Sequence, residues 1–431
     1  MRSFTRIMPT VAASALALAG LAGLVGQAEA LVELNMVGSS AGKQFATDVP
    51  LNLCDQSPTP SKFVSADGNK IVWSCTMTAA PADTVVIRYN STQSGDGIIF
   101  LQQDITQAAS KIAQLDHTSN NGCTTQPLQT RASDNRTYNL KTGCADMTVP
   151  LPVHMGASDV QGSSYHQSGN GLSVTPLDDQ TGMSSTPTVI VPWGIFLGKN
   201  VVKANGTPAT SLSRYQVEAI FNRAAAARDW RNLGLATKDS LGDIEATSPI
   251  VTCQRNPGSG SKAGFDETVM VILNETGTAV APGVGGGAVF GGSSSNVADC
   301  LKNNPRGIGY LDADFELNFI TSGNARFGDA YMVALEGTKP RNTSLADPKQ
   351  DLKCGRYPFW ATWRLNVRTA DAGTPSDILA TAFKTNAGAD ATIALIPTGG
   401  YWSSDEAMAV FKNADRGPIT WKAGTHPVCN Q

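Results

Sequence analysis

Residues 31–42 read Leu-Val-Glu-Leu-Asn-Met-Val-Gly-Ser-Ser-Ala-Gly. The first seven alternate apolar and polar, the period of a half-buried strand. The small residues 38–42 then supply a tight turn, and a helix can start at Lys43. The same order recurs twice. Residues 83–89 (DTVVIRY) read as a strand, residues 94–97 (SGDG) as a turn, and residues 98–115 as a helix with Ile98, Leu101, Ile105 and Ile112 at helical spacing. Residues 249–253 read as a short strand, residues 255–261 (RNPGSGS) as a turn, and residues 262–273 as a helix. Strands that alternate with helices in this way predict an α/β fold.

The remaining segments extend that pattern. Residues 116–148 are polar, carry Cys123 and Cys144, and read as a disulfide-closed insertion. Residues 153–159 return to a buried edge, and the Gly/Ser-rich stretch 162–185 reads as a loop. The apolar run 188–196 (TVIVPWGIF) is a candidate crossover between two halves, and residues 357–367 (YPFWATWRLNV) are its return. Between them, 211–232 and 297–302 read as helices and 307–311 (GIGYL) as a strand. Helices are expected at 375–384 and 404–413. No internal repeat stands out.

The amino-terminal thirty residues stand apart. Arg2 and Arg6 precede an apolar run over 11–25, and Ala28-Glu29-Ala30 forms a small-residue cleavage site, the organisation of a secretory signal peptide. The mature chain then has about 400 residues, more than one ordinary core and suited to two lobes. Lys and Arg number 33 against 36 Asp and Glu. Removing Arg2, Arg6 and Glu29 leaves 31 against 35, so no basic excess points to nucleic acid. All eight cysteines follow the signal segment, and an even count in an oxidising compartment suggests disulfides. Their order suggests the neighbouring pairs Cys54–Cys75, Cys123–Cys144, Cys253–Cys300 and Cys354–Cys429, although the sequence leaves connectivity open. With no CxxC and four scattered histidines, neither a zinc site nor any other cofactor is expected.

The three turns carry the chemistry. A helix start leaves backbone N–H groups unpaired, glycine lets an anion come close to them, and serine adds a hydroxyl donor. Arg255 precedes the Gly258–Ser261 turn by three residues and offers a planar fork to an oxyanion. Its ordinary role would be a surface salt bridge. Asp159 repels an anion unless that anion brings a proton to donate, which favours hydrogen phosphate over sulfate. Its ordinary role would be a turn or cap residue.

These residues resemble the phosphate-binding proteins of phosphate ABC transporters. VGSSAG at 37–42 is similar to the family's first phosphate loop, with Ser40 in place of its threonine. RYNSTQSGDGI at 88–98 is similar to the second, with Ser94 as the hydroxyl donor. GASD at 156–159 matches the aspartate motif and RNPGSGS at 255–261 the arginine loop. The likeness extends over about 31–312. Pro257 and Ala41 depart from it, standing where the family has an acidic residue and a bulky aromatic. The resemblance implies a two-lobed periplasmic-binding-protein clamshell, each lobe a mixed sheet flanked by helices, with lobe one at 31–187, lobe two at 188–358 and a return over 359–431. It implies phosphate contacts at Ser39, Ser40, Ala41, Ser94, Gly95, Asp159, Arg255, Ser259, Gly260 and Ser261. The expected protein is a monomeric, exported, non-catalytic receptor for a small oxyanion, with an ABC permease as partner.

A hydrolase is the competing expectation. Residues 38–42 (GSSAG) also fit G-x-S-x-G after a strand, with Ser40 as nucleophile and Asp312 and His426 following in chain order. A secreted structural protein that kept the fold is the third.

Overall fold

The computed structural model describes residues 31–81, 83–118, 122–270, 286–320, 330–424, 426 and 429. The signal segment and the end of the helix expected over 262–273 lie outside them.

One mixed sheet runs through the described residues. Its order is Ala288–Gly291, Thr252–Arg255, Ile308–Asp312, Met183–Leu197, Trp360–Arg368, Met155–Ser158, Val32–Gly38, Thr84–Ser91, Lys70–Thr76, Ser61–Ser65, Thr137–Cys144 and Thr124–Thr125. The two long strands in the middle serve both lobes. Residues 183–192 of the first pair antiparallel with residues 368–360 of the second. Beyond that contact, Trp193–Leu197 turns to Asp312–Ile308 in lobe two, while residues 364–367 pair with residues 158–155 in lobe one. Each crossover is thus rooted in a different sheet half. Around them Trp193, Trp360, Trp363 and Tyr357 are fully buried, the kind of aromatic mass that dominates a core.

Glycine allows the closest packing in lobe one. A Cβ on Gly156 would lie 1.7 Å from the Gly97 carbonyl oxygen, and one on Gly97 would lie 2.2 Å from that of Ala157. The GASD strand and the SGDG turn therefore touch backbone to backbone. Helix Pro375–Ala387 covers this lobe with Leu379, Ala380, Phe383 and Ala387 buried; Thr374 caps it by accepting from Asp377 N, and Pro375 fills its first turn.

Several expectations change. Residues 98–115 are not one helix: Asp96–Ile99 is helical, and Arg368 takes the carbonyls of Phe100 and Gln103, so the chain leaves the helix there. Residues 211–232 divide into strand Ser211–Leu212, helix Arg214–Phe221 and two short 3-10 turns. Residues 404–413 form no helix. Ser403–Ser404 instead pairs with residues 190–189, and Lys412 Nζ donates to the Pro358 and Trp360 carbonyls. The insertion joins the sheet, since Thr137–Cys144 pairs parallel with Ser61–Ser65. Met155–Ser158 is an interior strand rather than an edge. The loop over 162–185 holds a small hairpin, Ser168–Gly169 with Leu172–Ser173, and ends in the crossover strand.

The four disulfides join neighbouring cysteines: Cys54–Cys75, Cys123–Cys144, Cys253–Cys300 and Cys354–Cys429. Among the described residues no helix is long and apolar enough to cross a membrane.

Candidate functional site

The strand ends of the two lobes meet at Asp159. The carboxylate lies just past strand Met155–Ser158, 1% exposed. The Ser39 hydroxyl donates to Oδ1, and the Ser94 hydroxyl donates to Oδ2 at 2.5 Å. Ser39 is fixed in turn: its N–H donates to the Ala157 carbonyl, and its Oγ accepts from Gly42 N at 2.9 Å. Burial pushes the Asp159 carboxyl up to about 7, against the pull of the two serines; Asp312 adds to the rise and Arg255 opposes it.

Lobe two presents the opposite charge. Arg255 ends strand Thr252–Arg255 and is 2% exposed. Its Nη1 donates to Ser294 Oγ at 2.8 Å and its Nη2 to the Gly292 carbonyl. Its Nε is buried without a partner among the described residues, so donor capacity remains. Ser294 Oγ donates to Asp312 Oδ2 at 2.9 Å, and Ser261 Oγ to Oδ1 at 3.4 Å. Burial pushes the Asp312 carboxyl up, while Arg255 and the two serines pull it back.

The halves are in contact. The Gly260 backbone lies against Asp159 and Ser94: an added Cβ would fall 2.5 Å from Asp159 Oδ2 and from Ser94 Oγ. Gly95 N donates to the Gly258 carbonyl across the same gap at 3.3 Å. Ser259 caps helix Gly260–Phe265 by accepting from Lys262 N.

The structure therefore brings together Ser39, Ser94, Gly95, Asp159 and Gly260, with Arg255 and Ser261 joined to them through lobe two. Ser40 and Ala41 line an adjoining cleft of about 560 Å³ together with Ser294 and Asp312. The expected set lacked Ser294 and named Asp312 only as the acid of the competing hydrolase. The signal for Ser294 was present: Gly291-Gly292-Ser293-Ser294-Ser295 is a fourth Gly/Ser turn between strand Ala288–Gly291 and helix Ser294–Asn303.

The hydrolase constellation is not assembled. Ser40 and Asp312 line one cleft, but His426 does not. Its Nε2 is 3.1 Å from the Lys422 carbonyl, and its ring lies beside Trp421. Among the described residues no group of three or more His, Cys, Asp or Glu could hold a metal ion.

No curated protein matches the chain. Among solved structures, a putative phosphate ABC transporter substrate-binding protein with bound phosphate from Clostridium perfringens is 12% identical, with 85% of this chain and 98% of that chain covered at a TM-score of 0.46. An ABC-type phosphate transport receptor from Vibrio cholerae is also 12% identical, with 84% and 96% covered at 0.41. A Corynebacterium glutamicum OxyR C206 mutant is 7% identical, with 87% and 70% covered at 0.40. The family model described as a PBP superfamily domain matches residues 66–385. That match takes in more than half of the chain, and the protein belongs to the PBP superfamily.

Proposed function

We propose that this protein is an exported, monomeric receptor that binds phosphate between its lobes and delivers it to an ABC-type permease or retains it by extracellular scavenging. The observation that carries this reading is the pair of buried, oppositely charged groups at the lobe junction, Asp159 on one side and Arg255 on the other. Arg255 supplies charge-assisted donors to the anion. Asp159 accepts the ligand's proton, which a fully ionised sulfate lacks. Ser94, the Gly258–Ser261 loop and Ser39 complete the cradle, with Ser40 and Ala41 at its margin. In this reading residues 31–187 and 188–358 act as jaws and residues 359–431 as the return, closing about the crossovers. Binding rather than catalysis is also supported by the placement of His426 away from Ser40.

Calorimetric titration with phosphate tests the reading. Arg255→Ala is expected to lower affinity tenfold or more, the loss of at least one hydrogen bond to a charged group at about 1.5–3 kcal/mol. Unchanged affinity would remove the arginine loop from the site. Ser40→Ala is expected to weaken binding modestly; an esterase activity abolished by it would favour the hydrolase.

A further inference from the structure

The cleft beside the cradle is larger than an inorganic anion needs. At about 560 Å³ it falls among pockets of about 300–1,000 Å³ that enclose organic ligands, whereas phosphate is a single tetrahedral group. It is continuous with the proposed site in its chemistry, because Ser294 and Asp312 both line it and bond to Arg255 or Ser261. Both lobes contribute. Ser40, Asn69 and Ser91 come from one, and Ser294, Asp312 and Asp314 from the other.

The lining is selective in sign. Hydroxyls and an amide can donate or accept, and Asp67, Asp312 and Asp314 add acceptors, while among the described residues no arginine lines the space. Lys43 lies at this wall with its ammonium directed to the Gly68 carbonyl. Thr398 Oγ1, on the remaining wall, is enclosed without a hydrogen-bond partner among the described residues. Desolvation and the neighbouring Asp312 push the Asp314 carboxyl up to about 8. Hydroxyl donors would satisfy these acceptors, and an ammonium would favour the ionised form of Asp314.

We infer that the preferred ligand is a small phosphate monoester whose organic part carries hydrogen-bond donors. Its phosphate, in the singly protonated form that brings Asp159 a proton, lies at Asp159 and Arg255, and its organic part fills the cleft lined by Ser40, Ser91 and Asp314. This rests on the phosphate-binding reading above and names the ligand class for that site.

Competition and direct calorimetry with inorganic phosphate, glycerol 3-phosphate and phosphoethanolamine at pH 6, where about half of each ester keeps a proton on its phosphate, test it. At least one ester is expected to bind tenfold or more tighter than inorganic phosphate. Asp314→Asn is expected to reduce that advantage at least fivefold, most for phosphoethanolamine, while inorganic phosphate affinity stays unchanged. Inorganic phosphate binding as tightly as both esters overturns the inference and leaves the phosphate reading standing. Failure of all three to bind overturns the phosphate reading and the inference with it. An ester advantage that survives Asp314→Asn intact overturns the placement of the organic part.

Discussion

Each lobe brings one buried aspartate to the junction, and the two are held differently. Asp312 in lobe two has Arg255 as a nearby counter-charge and two serine donors. Asp159 in lobe one has two serine hydroxyls as its hydrogen-bond partners and feels Arg255 only across the junction, as the weakest of its perturbing influences. The first arrangement is close to self-sufficient, since buried charge is tolerated when paired and hydrogen-bonded. The second leaves an acid whose proton affinity is raised by burial, one that can take a proton from a ligand or from water. Lobe two therefore supplies fixed charge, and lobe one supplies the group whose charge responds.

Removing Arg255 should break that contrast most severely. Arg255→Ala leaves Asp312 buried without its counter-charge, and urea unfolding should show a loss of about 3–5 kcal/mol. A loss below about 1 kcal/mol would mean that the serines alone hold Asp312.

Asp159→Asn should act in the opposite sense and depend on pH. The Asp159 carboxyl sits at about 7 in the folded protein, against about 3.9 in an unfolded chain. The native state therefore binds the proton more tightly, and this group's contribution to stability falls as pH rises from about 4 to 7, then levels. Between pH 5 and pH 8 the variant should gain about 3 kcal/mol relative to the parent. A difference that stays flat with pH would show Asp159 ionised throughout.

Ser94→Ala removes one donor from the same carboxylate. It should cost about 2 kcal/mol at pH 8 and less at pH 5, where Asp159 carries its own proton. The smallest effect sharpens the comparison by lying outside it. Ser213 caps helix Arg214–Phe221 in a capping box, so Ser213→Ala should cost about 1 kcal/mol at either pH and leave anion binding alone.

The strands were largely legible because their signals are local. The alternation over 31–37 and the apolar crossover over 188–196 each appear as strands near the expected positions. The four cysteine pairs follow chain order because each closes a loop between neighbouring segments. The helix over 98–115 failed for a non-local reason: Arg368, more than 250 residues on, takes carbonyls that a helix would use. The tail at 404–413 failed likewise, drawn out by Lys412 and by pairing to the crossover. At the site, Asp159 and Arg255 were readable from short motifs. Their surroundings were not, because Asp312 and Ser294 reach Arg255 only through strand pairing in lobe two. The turn holding Ser294 obeyed the same Gly/Ser rule as the other three and was within reach of it.

The central claim is that Asp159 reads a proton. Its most direct test is calorimetric titration with phosphate and with sulfate, at pH 8 and at pH 5, on the parent and on Asp159→Asn. The account predicts that at pH 8 the parent binds phosphate and ignores sulfate. At pH 5, where Asp159 is protonated, sulfate binding should appear, and Asp159→Asn should accept sulfate at both pH values. Equal affinity of the parent for sulfate and phosphate at pH 8, or a preference for phosphate that survives Asp159→Asn, would contradict it.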